Sequence, residues 1–249
     1  MTTSSEAIIV TEADGVTSIN INRPAKRNAL TGAMYLAMAE AITRANKDDS
    51  IAVIMITGQP GAFSAGNDIG DFLRGRGTSE TSPAIVFLKA LVLSRKPLIA
   101  ALDGLAIGIG TTLVLHCDFA YATPRTRFHM PFIDLALVPE AAASLLVPRL
   151  CGIKAAAEML LLGEAFDAES AARYGIINSV VARDVEDHAR TVALRLAAKP
   201  RAALLAARAL MRADHHELLS RIDLEAEEFA AALNSGEAKA IFAAFLAKA

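Results

Sequence analysis

The 249-residue chain has no tryptophan, three tyrosines and two cysteines. Aromatic residues make up 5% of it, too few for the stacking platforms that hold single-stranded nucleic acids. The formal net charge of −2 leaves no basic field to draw in a polyanion, so a nucleic-acid partner is disfavoured. Cys117 and Cys151 cannot build a disulfide framework and point to a reducing compartment. No stretch offers the roughly 18 uninterrupted apolar residues of a membrane span. The longest candidate, Leu98 to Cys117, is broken by Asp103, by glycines and by His116. The start, MTTSSEAIIV, has no positive segment ahead of an apolar run and does not read as a signal peptide. The expected protein is cytoplasmic, with no membrane contact.

What the chain has in excess is alanine. There are 51 alanines, and 31 of them lie at or beyond Ala141. Alanine favours helix, so the last third is expected to be mostly helical. With 53% hydrophobic residues the chain can bury a sizeable core, and its length suits one large domain or two small ones.

The first two thirds alternate strand and helix. Ala7 to Thr11 and Val16 to Ile21 are β-branched runs joined by Asp14-Gly15, a strong hairpin signal. Residues 31 to 47 carry a helical apolar period that Thr31 can cap. Ile51 to Thr57 and Pro97 to Leu102 read as buried strands, Asp118 to Ala122 and Arg127 to Met130 as shorter ones. Ala84 to Ser94 and Thr111 to His116 read as helices. Gly58 to Gly70 and Gly104 to Gly110 read as glycine-bearing loops, and Asp71 to Pro83 as a mobile loop with one helical turn at most. The helical pattern resumes at Ile153, with one strand near Ile177 to Val181 and a break at Ser235-Gly236.

Gly108-Ile109-Gly110 follows a strand and opens a helix, but Leu113 stands where a dinucleotide fingerprint needs its third glycine. What remains is a set of backbone N–H groups at a helix start, suited to negative charge. Phe63-Ser64-Ala65-Gly66-Asn67-Asp68 offers a similar exposure. Together the two segments can form an oxyanion hole for a thioester carbonyl. No set of histidines, cysteines and acids has metal-ligand spacing, so no metal is expected; His215-His216 lacks companions.

These segments resemble the crotonase (enoyl-CoA hydratase/isomerase) superfamily. The resemblance is carried by Asn22-Arg23-Pro24 with Asn28-Ala29-Leu30, by Phe63 to Asp68, by Lys96-Pro97 with Ala100 and Asp103-Gly104, and by Cys117-Asp118. Gly152, Ala155-Ala156, Leu161-Leu162-Gly163 and Gly175 to Asn178 extend it over nearly the whole chain. It implies an α/β fold, a spiral of repeated ββα units with a C-terminal helical region. It divides the chain into a spiral core, 1–195, and a helical trimerisation region, 196–249. It implies an acyl-CoA thioester substrate, no cofactor beyond the coenzyme A of that substrate, and a homotrimer or dimer of trimers. The backbone N–H groups of Asn67 and Ile109 would bind the thioester oxygen, and coenzyme A would pass Lys26, Arg27, Ala29, Ala65, Asp68 and Ile69. The family usually has glycine at the second donor, so the Ile109 side chain must point away from the acyl group or narrow the pocket.

The family's hydratases carry two glutamates, at positions that here hold Thr112 and Phe132. Neither can act as an acid or base near neutral pH, which argues against ordinary hydration. Glu140, in Leu137-Val138-Pro139-Glu140, matches the single acid/base of the Δ3,Δ2-enoyl-CoA isomerase branch. The expected activity is therefore an enoyl-CoA isomerase shifting a Δ3 double bond to Δ2. The alternatives are a hydratase of the same fold and a non-catalytic acyl-CoA-binding relative. Asp134 is a back-up base, His129 an orienting or packed group, Asp71 a helix cap and Asp118 a structural residue.

Overall fold

A computed structural model describes residues 3–5, 7–74, 82–212 and 215–246. The chain opens with β1 (Thr3–Ser5), β2 (Ile8–Ala13) and β3 (Val16–Ile21). Asp14 and Gly15 have φ of 54° and 76°, the pairing of positive angles that a two-residue turn needs to follow the twist of its strands. In α1 (Gly32–Lys47) the Thr31 hydroxyl accepts from the Met34 N–H, and Met34, Tyr35, Met38, Ala41, Ile42 and Ala45 line the buried face.

From there one motif recurs: two strands, then helix. β4 (Val53–Thr57) and β5 (Ala62–Ser64) lead to α2 (Ile69–Arg74) and α3 (Pro83–Val92). β6 (Leu98–Leu102) and β7 (Leu105–Ile107) lead to α4 (Ile109–Thr112), which tightens into a 3₁₀ turn, Leu113–His116. β8 (Phe119–Ala122) and β9 (Arg127–His129) lead, through a 3₁₀ turn at Ile133–Leu135, to α5 (Ala143–Leu160). β10 (Phe166–Asp167), α6 (Ala168–Arg173), β11 (Ser179–Val180), α7 (Val185–Ala197), α8 (Arg201–Met211), α9 (His215–Leu233) and α10 (Gly236–Leu246) complete the chain.

The first strand of each repeat joins a seven-stranded sheet of order β1-β2-β3-β4-β6-β8-β11, and the second joins a four-stranded sheet of order β10-β9-β7-β5. β3, β4, β6, β8 and β11 run parallel, as do β5, β7 and β9. The repeats therefore stack as successive turns of a spiral. β4 and β6 are buried at every position because helices cover both faces. Val53, Met55, Ile99 and Ala101 pack with Ala189 and Ala193 of α7, while Ile54, Ile56, Leu98 and Leu102 join the larger core with Met38, Ile42 and Leu88.

β5 and β7 lie inside the two segments that read as loops, and β10 lies where helix was expected. Strands of two or three residues bounded by glycine carry too little alternation to show in a sequence. The strand read from Ile51 begins at Val53, and the one read as Ile177 to Val181 shrinks to Ser179–Val180. α4 starts at Ile109 rather than Thr111, and α5 starts ten residues ahead of Ile153, carrying Pro148 and an irregular Gly152 (φ 78°, ψ 160°). The predicted loop from Asp71 begins as helix up to Arg74, and residues 75–81 lie outside the described residues.

The C-terminal helices fold back on their own chain. Ile222, Phe229, Ala238 and Phe242 belong to the larger core, and Asp118 accepts from Arg208 Nε at 2.7 Å and Arg212 Nε at 2.9 Å. Asp118 also accepts from the Leu98 N–H at 2.8 Å, so it fixes two strands to α8. Lys96, buried, donates to the carbonyls of Ala45 and Asp48 and closes the end of α1. Among the described residues no helix is long and apolar enough to cross a membrane.

Candidate active site

The two donor segments are brought together by strand register. Ser64 in β5 pairs with Ala106 in β7. Asn67 and Ile109 each stand three residues beyond that pair, so both segments leave adjacent parallel strands at the same edge. Gly110 keeps them in contact, since a Cβ there would sit 2.7 Å from the Ser64 carbonyl oxygen. Asn67 forms a parallel bridge with Leu30, in which the Leu30 N–H donates to Gly66 O and the Asp68 N–H to Leu30 O, both at 2.8 Å. The flanking residues make both bonds, which leaves the Asn67 N–H on the side away from Leu30. Ile109 is the first residue of α4. The first helical bonds run from the N–H groups of Thr111 and Thr112 to Gly108 O, so the Ile109 N–H precedes them. Gly108 holds φ 55°, ψ −119°, which residues with side chains avoid, and a Cβ on it would meet no atom within 4 Å. Two outward N–H groups beside open space are what an oxyanion needs. The Ile109 side chain is 1% exposed and taken up by the core, away from that space.

The Asn67 side chain is held by Tyr35, whose hydroxyl donates to Oδ1 at 2.5 Å. Tyr35 is buried and leans on Phe87 at 5.6 Å between ring centroids. Burial, and next the charge of Glu140, push its hydroxyl well above the usual tyrosine range. Below the loop, buried Asn28 donates to Ala62 O at 2.8 Å and accepts from the Arg23 N–H at 2.7 Å, and the Ser64 hydroxyl donates to Asn28 O at 2.9 Å. Arg23 pairs with Asp68 at 2.7 Å. The Asn-Arg-Pro and Asn-Ala-Leu motifs are thus the scaffold that shapes the first donor segment.

Glu140 comes from the loop after β9, the neighbour of β7, so three parallel strands deliver their following loops to one edge. Its Oε1 is shut off from solvent and has no hydrogen-bond partner among the described residues. Burial first, and then the charge of Glu225, raise its carboxyl from 4.5 to about 7. The Thr112 hydroxyl opposes that rise, yet it stands outside hydrogen-bond geometry and is itself buried without a partner among the described residues. The neighbours Tyr35, which holds the Asn67 side chain, and Thr112, on the helix that Ile109 opens, tie Glu140 to both donor segments, and a carboxyl of this kind can take a proton from carbon and return it. Phe132 instead packs in the core, edge-on to Phe229 at 6.5 Å.

The turn that carries Glu140 is unusual. Ala141 and Ala142 both have positive φ, 62° and 57°. His116 Nε2 lies 2.8 Å from Ala141 O. Glu225, on α9 and 6% exposed, accepts from the Ala142 N–H at 2.6 Å and from the Ser144 N–H at 2.9 Å, and also bonds the Ser144 hydroxyl. Burial holds His116 down to about 4, so its ring is neutral at physiological pH.

Lys26 and Arg27 are exposed, and the Ala65 N–H donates to Arg27 O at 3.0 Å, which puts these cations beside the first donor segment. Ala29, Ala65, Asp68 and Ile69 are partly buried around it. The Asp68 carboxylate is engaged by Arg23 and by the Asp71 N–H at 2.9 Å. Asp71 accepts from the Gly32 N–H at 2.7 Å and so caps α1. Asp134 is exposed and lies against Gly163, and His129 Nε2 stands 2.8 Å from Gly163 O, a packed group as expected. A groove of about 650 Å³ lies elsewhere, lined by Thr57, Asp103, Arg125 and Glu186; it holds none of the donor or acid groups described above. Among the described residues no group of three or more histidine, cysteine, aspartate or glutamate side chains could hold a metal ion.

The family model for enoyl-CoA hydratase/isomerase matches residues 11–249, and the chain belongs to that family. Its stacked ββα repeats are the crotonase fold. Over 182 residues it is 36% identical to enoyl-CoA delta isomerase 3, peroxisomal, of Mus musculus, covering 71% of this chain and 57% of the mouse protein. It therefore spans little more than half the length of that relative. Over 246 residues it is 36% identical to probable enoyl-CoA hydratase EchA14 of Mycobacterium tuberculosis, covering 89% and 94% of the two chains. Among solved structures, Pseudomonas aeruginosa OdaA matches with a TM-score of 0.95 and 41% identity, over 97% of this chain and 99% of the other.

Proposed function

We propose that the protein is an enoyl-CoA isomerase that moves a double bond from C3 to C2 of an acyl-CoA thioester. One observation carries the reading: Glu140 has a buried carboxyl oxygen with no hydrogen-bond partner among the described residues, next to Tyr35 and Thr112 of the elements that hold the two donor segments, while the two hydratase acid positions hold Thr112 and Phe132. Ionised Glu140 takes a proton from C2. The electrons of the broken C–H bond pass into the thioester, and the N–H groups of Asn67 and Ile109 hold the resulting dienolate oxygen. Glu140 then returns the proton to C4, the negative charge leaves the oxygen, and the double bond lies between C2 and C3.

Coenzyme A is part of the substrate, and the reaction calls for no metal or redox cofactor. Its phosphates meet exposed Lys26 and Arg27, and its body passes Ala29, Ala65, Asp68 and Ile69. A homotrimer or dimer of trimers, formed through residues 196–249, belongs to the same reading; the exposed apolar side chains of Leu210 and Met211 offer surface for it.

The test is a 3-enoyl-CoA and, separately, a 2-enoyl-CoA, each given to the protein and to Glu140→Gln. Isomerisation lost by at least 10²-fold in the variant is the expected result. Isomerisation that survives the substitution removes the role of Glu140. Brisk hydration of the 2-enoyl substrate favours a hydratase, and binding with no turnover leaves a non-catalytic acyl-CoA binder.

A further inference from the structure

We propose that Glu225 is a positioning residue for Glu140: it clamps the turn that carries Glu140 from behind and places a second carboxylate charge beside it. This rests on Glu140 being the acid/base of the site.

The clamp is visible in the bonds. Residues 141 and 142 hold two consecutive positive φ values, a conformation that alanine avoids and that persists only where its surroundings impose it. Two groups do so here. His116 binds the Ala141 carbonyl, and Glu225 takes the N–H groups of Ala142 and Ser144 together with the Ser144 hydroxyl. Those N–H groups lie at the start of α5, where a carboxylate is favoured by the helix as well. The direction in which Glu140 leaves the loop is therefore set by a side chain 85 positions later, on a helix that adds no residue to the chemistry.

The charge acts on the same residue. Facing Glu140 are Glu225 from α9, the Tyr35 hydroxyl from α1 and the Thr112 hydroxyl from α4, and no cation from these elements moves its titration. Facing Glu225 are Ser144 from α5 and Arg221, one turn earlier on α9, whose guanidinium also reaches Ser144 Oγ at 3.2 Å. His116, neutral, adds no charge to the turn. Burial raises the Glu225 carboxyl above its ordinary value, while the bonds from Ser144 and Ala142 and the charge of Arg221 oppose that rise; in its ionised form Glu225 is the like charge that helps to keep Glu140 basic enough to pull a proton from carbon.

Two substitutions separate clamp from charge. Glu225→Gln keeps the shape and removes the charge; Glu225→Asp keeps the charge and withdraws it by one methylene. Both are checked for folding by circular dichroism. Glu140 is then titrated directly, from its carboxyl infrared bands in ¹³C-glutamate-labelled protein, as the difference from a Glu140→Gln reference. In Glu225→Gln the Glu140 midpoint falls by roughly half a pH unit or more. In Glu225→Asp the midpoint stays near its original value, while kcat for the 3-enoyl-CoA falls about 10-fold or more with KM little changed. A folded Glu225→Gln protein with an unmoved Glu140 midpoint overturns the proposal. If that variant does not fold, an unchanged kcat in Glu225→Asp overturns it. A midpoint that moves in protein with no isomerase activity shows the functional reading to be wrong and the coupling right.

Discussion

At Glu140 the burial that makes a carboxyl basic also works against the fold. Its folded value of about 7 lies above the ordinary 4.5, so folding favours the neutral form. That contribution is fully present below pH 4.5 and is lost as pH rises through about 7. The gap corresponds to about 3 kcal/mol. Glu140→Gln, neutral at every pH, should match the parent in stability at pH 4 and exceed it by up to that amount at pH 8, measured by urea unfolding at each pH. A constant difference across the range would mean that Glu140 is not desolvated. Activity should run the opposite way: kcat/KM on a 3-enoyl-CoA should rise with pH and level off above about 7, because only the ionised carboxyl can take the C2 proton. The same residue thus couples a stability loss to an activity gain over one pH window.

At the scale of elements, the site depends on how closely α4 approaches β5. Gly110 has no room for a side chain against the Ser64 backbone. Gly110→Ala should push the two donor segments apart and cost roughly 10²-fold in kcat, since a shift on the order of 1 Å in a catalytic group has that effect. It should destabilise the fold by about 1–3 kcal/mol. Gly236→Ala, in open space at the start of α10, is the matched control and should leave both unchanged. The donors were legible in the sequence because glycines mark them. The strands that align them, β5 and β7, were not, being three residues long. Glu140 stands out only through the resemblance of its Pro-Glu setting to the isomerase branch, since by spacing alone it reads as a helix cap. Tyr35 does not stand out, since on the buried face of α1 it reads as one more core residue beside Met34 and Met38. Glu225 leaves a trace in the sequence: Ile222, Glu225 and Phe229 share one helical face, and an acid on an apolar face asks for a buried partner. His116 gives no such sign, because its partner is a carbonyl 25 positions away.

At the scale of the whole molecule, the question is whether residues 196–249 form a separate unit or part of one cooperative core. The contacts argue for one core. Phe229 is 3% exposed, meets Phe132 edge-on and shares its helix face with Glu225, whose carboxylate is bound to the Glu140 turn. Arg208 and Arg212 grip Asp118 at the edge of β8. Phe229→Ala should therefore destabilise the entire chain by about 3–5 kcal/mol, the range for emptying a buried aromatic site. For a chain of this size that lowers the melting temperature by roughly 6–20 °C. The decisive measurement is whether unfolding stays in one step. Far-ultraviolet circular dichroism weights the helices, including α8, α9 and α10, while tyrosine fluorescence reports Tyr35, Tyr121 and Tyr174, all outside them. Coincident urea transitions in parent and variant place the C-terminal helices inside the core, as their contacts require. An early loss of helix with the tyrosine signal intact would instead make them a separable appendage, and the clamp on Glu140 would then be only as strong as the docking of α9.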